Sequence, residues 1–327
     1  MPRHSVFVTK LSVHKRMKPG DLLDVSAFDP KHPTQSDLLT LFHGMVDGVH
    51  PDRLVDRAHE VYTTLSSIDS RGRTLMVEVD GGTFGAEGLT HNVDDHKVEH
   101  KRSPNMAATS HARLFFMVPT GEQHALMFLE RIGREVPARK LPELFGQAFR
   151  HNFPDFMLKT ESVVETDAWL EAAKLDSVTG IVNEWNWSSD LADVGIPQSV
   201  GRLVQTLRPE KGSKLPLSLL NGLRSKKITA GRILGFPDGN EPDEVEVQVS
   251  AHGRTKTFVI NKEKTPRFAL VIAEPGDPVP DAAAVRSECL QTAPELFKNV
   301  GVNWQTQWQN GEWSDDQLAV RLEVPDQ

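Results

Sequence analysis

The sequence predicts an α+β protein in which mostly antiparallel sheets, built from hairpins, carry helices packed against them. Short apolar runs are separated by turn residues: residues 112–118 and 124–132 flank PTGEQ, which is typical of a β-hairpin. Helical patterns fall between groups of strands and do not alternate with them regularly. A parallel sheet built from β-α-β units is therefore not expected.

The N-terminal part opens with a weakly alternating stretch, residues 5–13, which predicts a strand. A helix is expected from Ser36, a favoured capping residue, because SDLLTLFHGMV places its apolar side chains on one stripe. A second helix is expected over 51–66, since proline is favoured at a first helical position. RTLMVEV (73–79) then predicts a strand that leads to a glycine-rich turn.

The middle of the chain contains apolar residues at helical spacing in some stretches and at strand spacing in others. The predicted helices are 139–153 and 166–175, and 215–226 is expected to form a short helix or a turn. The predicted strands are 157–164, 178–184 and 200–207.

The C-terminal third begins with three predicted strands, 244–250, 256–260 and 267–273. A helix is expected from Asp281, with a break near Pro294. Since domains usually span about 100–200 residues, we divide the 327 residues into an N-terminal α+β domain, 1–155, and a C-terminal α+β domain, 156–327. The second domain would contain a mainly β segment at 244–273 and a closing helical tail.

Composition limits the class of protein. The single cysteine, Cys289, excludes an intrachain disulfide and a cysteine-based zinc site, and we expect it to be a small buried residue. No apolar run approaches the ~18 residues of a membrane span, and the N-terminus lacks a secretory apolar core. We therefore expect a soluble, cytoplasmic protein without a membrane partner. A net charge of −8 argues against a general polyanion binder, so local basic patches must be argued individually.

The stretch VDDHKVEHKRS (93–103) concentrates charge and imidazole in eleven positions. One interpretation is a solvated edge hairpin whose charges discourage pairing with another strand. The other is a metal site that includes His96 and His100, because divalent ions accept imidazole and carboxylate ligands.

Asp80, Glu99 and Lys101 form a second pattern. A strand ends at Asp80, after the helix expected over 51–66, and Glu99-His100-Lys101 lies nineteen residues further on. This order resembles the core of PD-(D/E)xK nucleases. The resemblance implies that both carboxylates hold Mg²⁺ or Mn²⁺ and that the lysine orients the attacking water. Two features depart from it, because DDHKV is not an apolar strand and SPNMAATSHA leads into a strand rather than a helix.

Residues 202–232 form the most basic segment, with eight cations and only Glu210 opposing them. Such clustering is typical of a nucleic-acid or phosphate surface, although it is also common on a solvated face. The segment contains no aromatic residue, which disfavours recognition of single strands by stacking. The candidate binding residues are Arg202, Arg208, Lys211, Lys214, Arg224, Lys226, Lys227 and Arg232.

Three tryptophans, Trp304, Trp308 and Trp313, lie near the C-terminus. Trp304 and Trp308 are four residues apart and would share one face of a helix. Tryptophan is enriched at interfaces because it buries a large area and keeps a polar tip. The tail is therefore either a closing helix that covers the sheet or a surface for a partner or for a homo-oligomer.

We expect a protein that works by binding a nucleic acid or a protein partner, without a cofactor. Low cysteine content and the absence of low-complexity tails suggest a bacterial or phage-related multi-component system, such as host–phage conflict. The alternative is a metal-dependent nuclease that uses Asp80, Glu99 and Lys101 with Mg²⁺ or Mn²⁺. A third hypothesis is an assembly protein that self-associates through Trp304 and Trp308.

Overall fold

The computed structural model describes residues 2–133, 135–163, 174–186, 199–210, 213–225, 227–236, 241–251, 254–260 and 267–325. Its contacts divide the chain into two compact units. Unit 1 comprises Met1–Glu161 and Ile272–Gln327, and unit 2 comprises Ser162–Val271. The boundary expected near 155 lies close to the end of the first segment of unit 1. Residues 272–327, however, group with unit 1, whereas the sequence analysis placed them in the second domain.

The strands confirm the expected fold class, because every pairing with a described register is antiparallel. In chain order they are β1 His4–Lys15, β2 Leu22–Leu23, β3 Val55–Asp56, β4 Val61–Arg71, β5 Thr74–Thr83, β6 Gly88–His91, β7 Val98–Arg102, β8 Ala108–Met117, β9 Ala125–Ile132, β10 Phe156–Ser162, β11 Lys174–Asn186, β12 Ser199–Leu207, β13 Glu244–Ala251, β14 Arg254–Ile260 and β15 Arg267–Ala273.

The α-helices of the described ranges are α1 Leu38–Gly48, α2 Lys140–Asn152, α3 Leu217–Arg224, α4 Ala230–Leu234, α5 Ala282–Asn299 and α6 Asp315–Ala319. Short 3₁₀ turns occur at Pro33–Gln35, Pro51–Leu54, Pro137–Arg139 and Thr306–Gln309. No helix of the described ranges combines the length and the apolar character needed to cross a lipid bilayer.

The sheet of unit 1 has the strand order β1-β9-β8-β5-β4-β3, and β2 and β10 also pair with β1. Successive side chains of a strand point to opposite faces. One face packs against α1 and α2 in a core that includes Val77, Phe116 and Met127. On the opposite face α5 lies against β8 and β9, and the Arg286 guanidinium lies 5.2 Å from the centre of the Phe115 ring.

The start of α1 differs by one residue from the expected cap. Asp37 is the capping residue, because its carboxylate accepts a hydrogen bond from the Leu39 amide at 3.0 Å. The same carboxylate accepts two hydrogen bonds from the Arg73 guanidinium, at 2.6 and 2.9 Å. The Ser36 hydroxyl instead accepts from the Asp29 amide at 3.0 Å. The cap of α1 is therefore tied to the turn before β5.

The helix expected over 51–66 is wrong. Only Pro51–Leu54 forms a 3₁₀ turn, and the chain continues as β3 and β4. The β-branched Val61, Thr63 and Thr64 fit a pleated strand better than a helix. β4 pairs with β5 along its whole length, so the tertiary partner supplies the hydrogen bonds that a helix would have made internally.

The break expected near Pro294 is also wrong, because α5 continues through this residue to Asn299. A proline inside a helix costs about 3 kcal/mol, since it removes a donor and crowds the preceding turn. Leu296 and Phe297 in the following turn are fully buried. Burying two large apolar side chains, at about 1.5–3 kcal/mol each, offsets that cost. Cys289 of α5 is buried as expected, and burial raises the pKa of its thiol.

Unit 2 contains a sheet of order β12-β11-β13-β14-β15. The strict alternation of EVEVQVS places the three valines of β13 on its buried face. α3 and α4 lie against β11, and Leu234 and Phe236 approach Gly180 so closely that a Cβ atom there would lie 2.6 Å from both side chains. Of the helix expected over 166–175, residues 166–173 lie outside the described residues, and Lys174 and Leu175 are the first two residues of β11.

Candidate functional sites

Charged side chains occupy the face of the unit 1 sheet that does not meet α1 and α2. Glu78 and Asp80 lie on β5, His111 and Arg113 on β8, and Glu130 on β9. The strand register places Asp80 opposite His111 and Glu78 opposite Arg113. These five residues are called the charged cluster below.

Glu130 is the most deeply buried member of the cluster, with an exposed fraction of 0%. Its Oε2 atom accepts hydrogen bonds from the Arg113 amide at 3.0 Å and from the Arg113 guanidinium at 3.3 Å. Its Oε1 atom lies 2.7 Å from Nδ1 of His4 on β1. A buried charge is tolerated only when it is paired and hydrogen-bonded, and Glu130 meets both conditions.

His111 bridges the two carboxylates of β5. Its Nδ1 atom lies 2.9 Å from Asp80 Oδ1, and its Nε2 atom lies 3.0 Å from Glu78 Oε2. Only the protonated ring can donate from both nitrogens. Partial burial by itself would lower the pKa of His111, but the hydrogen bonds to Glu78 and Asp80 outweigh it and raise this pKa above its ordinary value.

The pKa values of Glu78 and Asp80 are shifted in the opposite direction, below their ordinary values. Desolvation would raise the pKa of Glu78, but hydrogen bonds from His111, Ser67 and Arg113 outweigh it and lower this pKa. For Asp80 the largest effect is the hydrogen bond from the Ser66 hydroxyl, at 2.6 Å, which lowers the pKa together with His111. The raised pKa of His111 and the lowered pKa values of Glu78 and Asp80 thus favour the charged forms of all three side chains.

This geometry limits the chemistry of His111. A general base needs a free nitrogen lone pair directed at the proton it removes, and both ring nitrogens already face carboxylates. Ser66 donates to Asp80 and not to the imidazole, so the three side chains do not form the relay of a serine hydrolase. The side chains of the charged cluster therefore pair with one another and leave no imidazole nitrogen free for proton transfer.

The nuclease pattern is divided between two sheets. Asp80 lies on β5, whose partners are β4 and β8, whereas Glu99 and Lys101 lie on β7, which pairs only with β6 among the described strands. His111 occupies the position opposite Asp80 that the resemblance would assign to the E-x-K strand. The carboxylate of Glu99 accepts from the Asn92 side chain at 3.3 Å. The structure thus does not bring Glu99 or Lys101 onto a strand paired with Asp80.

The histidines of VDDHKVEHKRS also have separate surroundings. His96 lies in the turn between β6 and β7 with a φ of 58°, and Nε2 of His100 lies 3.3 Å from the Met106 sulfur. Within the described ranges, no group of three or more histidine, cysteine, aspartate or glutamate side chains could hold a metal ion. The segment forms a two-stranded hairpin, exposed along most of its length, as one of the two interpretations expected.

The basic segment lies in unit 2 around its edge strand. Along β12 and just beyond it, Arg202, Val204 and Arg208 are exposed, while the intervening leucines are half-buried. The other described cations are also exposed: Lys214 before α3, Lys227 after it and Arg232 on α4. No ion pair involves these five cations within the part of the chain that the structure describes.

The remaining three cations of this segment are outside the description. Lys211 and Lys226 lie outside the described residues, and for Arg224 only the backbone is described, as the last residue of α3. The candidate surface therefore rests on five placed side chains.

The C-terminal tryptophans make contacts within unit 1. Trp304 is buried and stacks on Phe297 of α5, with ring centres 5.0 Å apart and an interplanar angle of 10°. Trp308 meets Trp304 edge-on, but Trp308 lies in the 3₁₀ turn Thr306–Gln309 and Trp304 precedes this turn, so the two do not share one helix face. The indole of Trp313 donates to the Gly72 carbonyl at 2.8 Å. The tail thus packs within unit 1, and an interface role for Trp304, Trp308 and Trp313 stays a prediction.

Neither a protein-family model, nor a curated protein, nor a solved structure matches this chain. The sites are therefore argued from the chemistry of their own residues. The charged cluster is not among the predicted sites, although its signal is visible: Glu78 and Asp80 alternate with valines in RTLMVEVD, and Arg113 is a charged residue in the otherwise apolar ARLFFMV. A charged side chain on a strand buried on both faces needs a partner on the next strand.

Proposed function

We propose that the chain binds nucleic acid through the exposed cations of residues 202–232. The observation that carries this proposal is that these cations are exposed and have no carboxylate partner among the described residues. In unit 1, by contrast, Arg73, Arg113 and Arg286 are neutralised by Asp37, by Glu78 and Glu130, and by Asp69. Unpaired surface cations gain free energy by displacing the counterions condensed on a phosphate backbone.

The spacing of these cations favours contact with the phosphate backbone of a nucleic acid over recognition of its bases. Arg202 and Arg208 are six residues apart on an extended chain, hence about 20 Å, which matches about six nucleotide steps of a duplex strand. The segment supplies no aromatic ring on which a base could stack. Binding is therefore expected to be largely independent of sequence and strongly dependent on salt.

The test is fluorescence anisotropy with labelled 30-mers of duplex DNA, single-stranded DNA and RNA, over a range of salt concentrations. The Arg202→Gln/Arg208→Gln variant should weaken duplex binding by roughly tenfold per lost contact at 0.1 M salt. The slope of log K against log salt should fall by about 2, since two phosphate contacts are lost.

The matched control is Arg57→Gln/Arg150→Gln, which removes two positive charges from exposed positions of unit 1. It should leave the affinity and the salt slope unchanged. Equal losses in both variants would attribute binding to net charge alone, and no binding by the wild-type chain at low salt would overturn the proposal.

The same samples test the nuclease alternative when Mn²⁺ is added. A chain that only binds leaves the oligonucleotides intact with and without metal. Cutting that depends on Mn²⁺ and disappears in Glu99→Ala would replace the binding proposal. Glu99 is exposed on the β6–β7 hairpin, so its substitution should not disturb folding.

A further inference from the structure

A cleft of about 620 Å³ lies at the end of β1, between the turn that follows this strand, the loop at 29–31 and the start of β10. All three of these segments belong to unit 1. Its volume lies within the range of clefts that hold small molecules, about 300–1,000 Å³. None of the sequence patterns considered above includes it.

The walls of the cleft are held by hydrogen bonds. The Arg16 amide donates to the Asp155 carbonyl at 2.9 Å, which joins the turn to the residue before β10. The Lys18 amide donates to the Lys15 carbonyl at 2.9 Å and closes the turn. The Lys31 amide donates to the Asp29 carboxylate at 3.0 Å and fixes the loop. A cleft with fixed walls loses little conformational entropy when a ligand binds.

The lining is predominantly cationic. Four side chains carry positive charge, Lys15, Arg16, Lys18 and Lys31, and two carry negative charge, Asp29 and Asp155. None of the four cations belongs to an ion pair within the described ranges. Clustered unpaired cations repel one another, and an anion bound among them removes that repulsion.

The cleft also offers apolar surface. Met17 and Phe156 line it, and the side chain of Met17 is 88% exposed. Phe156 is held from behind by Phe28, whose ring centre lies 5.2 Å away. An exposed methionine is unbranched and polarizable, so it adapts to the face of a flat ring. Cations and apolar surface therefore lie side by side in one cleft.

We propose that this cleft binds a free nucleoside di- or triphosphate. The cations at positions 15, 16, 18 and 31 neutralise the phosphates, in charge-assisted hydrogen bonds. The base lies between Met17 and Phe156, and the carboxylates of Asp29 and Asp155 accept hydrogen bonds from sugar hydroxyls or from an exocyclic amine. A bare phosphate would use only the first of these contacts, and an uncharged nucleoside only the others. The site is independent of the basic segment of unit 2.

The experiment is isothermal titration calorimetry of the full chain with ATP, ADP, AMP, pyrophosphate and adenosine. ATP and ADP should bind more tightly than pyrophosphate, and adenosine should not bind measurably. Arg16→Gln/Lys18→Gln should weaken ATP binding by about tenfold for each lost charge-assisted contact, hence by about a hundredfold. The control Arg57→Gln/Arg150→Gln should bind ATP like the wild type.

The Met17→Gln variant separates the two halves of the site. Because Met17 is almost fully exposed, its substitution cannot disturb the core. It should weaken ATP and leave pyrophosphate unchanged. A loss of both ligands, or of neither, contradicts the placement of the base.

Two further ligands test the choice of a free nucleotide. A 5′-triphosphorylated RNA hexamer that bound more tightly than ATP would assign the cleft to a nucleic-acid end. Anionic phospholipid vesicles that bound the chain while ATP produced no heat would assign the exposed Met17 and its neighbouring cations to a lipid surface. Either result overturns the proposal, as does the absence of ATP binding at millimolar concentration. None of these results depends on Arg202 or Arg208, so the two proposals fail separately.

Discussion

Replacement of Glu130 by alanine tests the charged cluster most directly. Its carboxylate is fully buried and receives hydrogen bonds from the amide and the guanidinium of Arg113, with His4 on its other oxygen. The substitution leaves the Arg113 guanidinium, only 7% exposed, with Glu78 as its remaining carboxylate at 3.3 Å. It therefore removes one partner from a buried pair without removing the other.

The expected loss follows from this burial. Breaking a buried ion pair by removing one partner costs about 3–5 kcal/mol, because the other charge stays desolvated. Since Glu78 continues to contact Arg113, we expect a value near the lower end, about 3 kcal/mol. The matched control is Glu143→Ala, which breaks the exposed pair between Glu143 of α2 and Arg139, the residue just before this helix. Such a helix pair contributes about 0.3–0.5 kcal/mol.

The assay is thermal unfolding followed by circular dichroism, with urea unfolding as a second measure. For a domain of about 150–250 residues, each kcal/mol shifts the midpoint by about 2–4 °C. The unit 1 transition should thus fall by roughly 6–12 °C in Glu130→Ala and by less than about 2 °C in Glu143→Ala. Glu130→Gln, which keeps the acceptor oxygen, should lie between them. If Glu130→Ala costs no more than the control, the reasoning about buried charge is refuted.

Three further substitutions follow from the structure. The raised pKa of His111 means that its charged ring stabilises the fold fully below pH 6.5, and that this contribution is lost as pH rises through the raised value. The stability difference between wild type and His111→Gln should therefore be larger at about pH 5.5 than at about pH 9, and equal differences would contradict the bridge. Asp37→Ala removes the cap of α1 and both hydrogen bonds from Arg73, so the free energy of unfolding in urea should fall by about 2–4 kcal/mol. A fall below about 1 kcal/mol would mean that only the cap contributes and that the pair with Arg73 does not stabilise the fold. Gly180→Val forces a Cβ against Leu234, so the free energy of unfolding of unit 2 should fall by about 1–3 kcal/mol while that of unit 1 stays unchanged.

The sequence predicted those elements whose signals are local. The apolar runs around PTGEQ identify β8 and β9, and the structure pairs them in register, with Leu114 opposite Leu129. The residues over 51–66 carry apolar side chains at spacings that suit a helix, yet their β-branched members suit a strand equally. Only the pairing with β5, some ten residues further along the chain, decides between the two. Short amphipathic stretches are therefore the places where tertiary partners override local preference.

The charged cluster could not be assembled from spacing alone. His111 is 33 residues from Glu78, and Arg113 is 17 residues from Glu130. Their contacts depend on the register of three strands, which a single sequence does not define. The resemblance to the PD-(D/E)xK core predicts Glu99 as the companion of Asp80. The β6–β7 hairpin takes Glu99 into its own two-stranded sheet, and β8 brings His111 to Asp80 instead.

The division of unit 1 into two separate stretches of chain has a consequence for the order of biosynthesis. The polypeptide leaves unit 1 after Glu161 and returns to it at Ile272. Leu322, near the end of the second stretch, belongs to the same core as α1 and α2. A ribosome delivers residues from the N-terminus onward, so all of unit 2 emerges while that core still lacks Leu322 and the opposite face of β8 and β9 still lacks α5. During this interval the apolar side chains that α5 later covers, such as Phe115, are exposed, and this face of the nascent chain is open to aggregation.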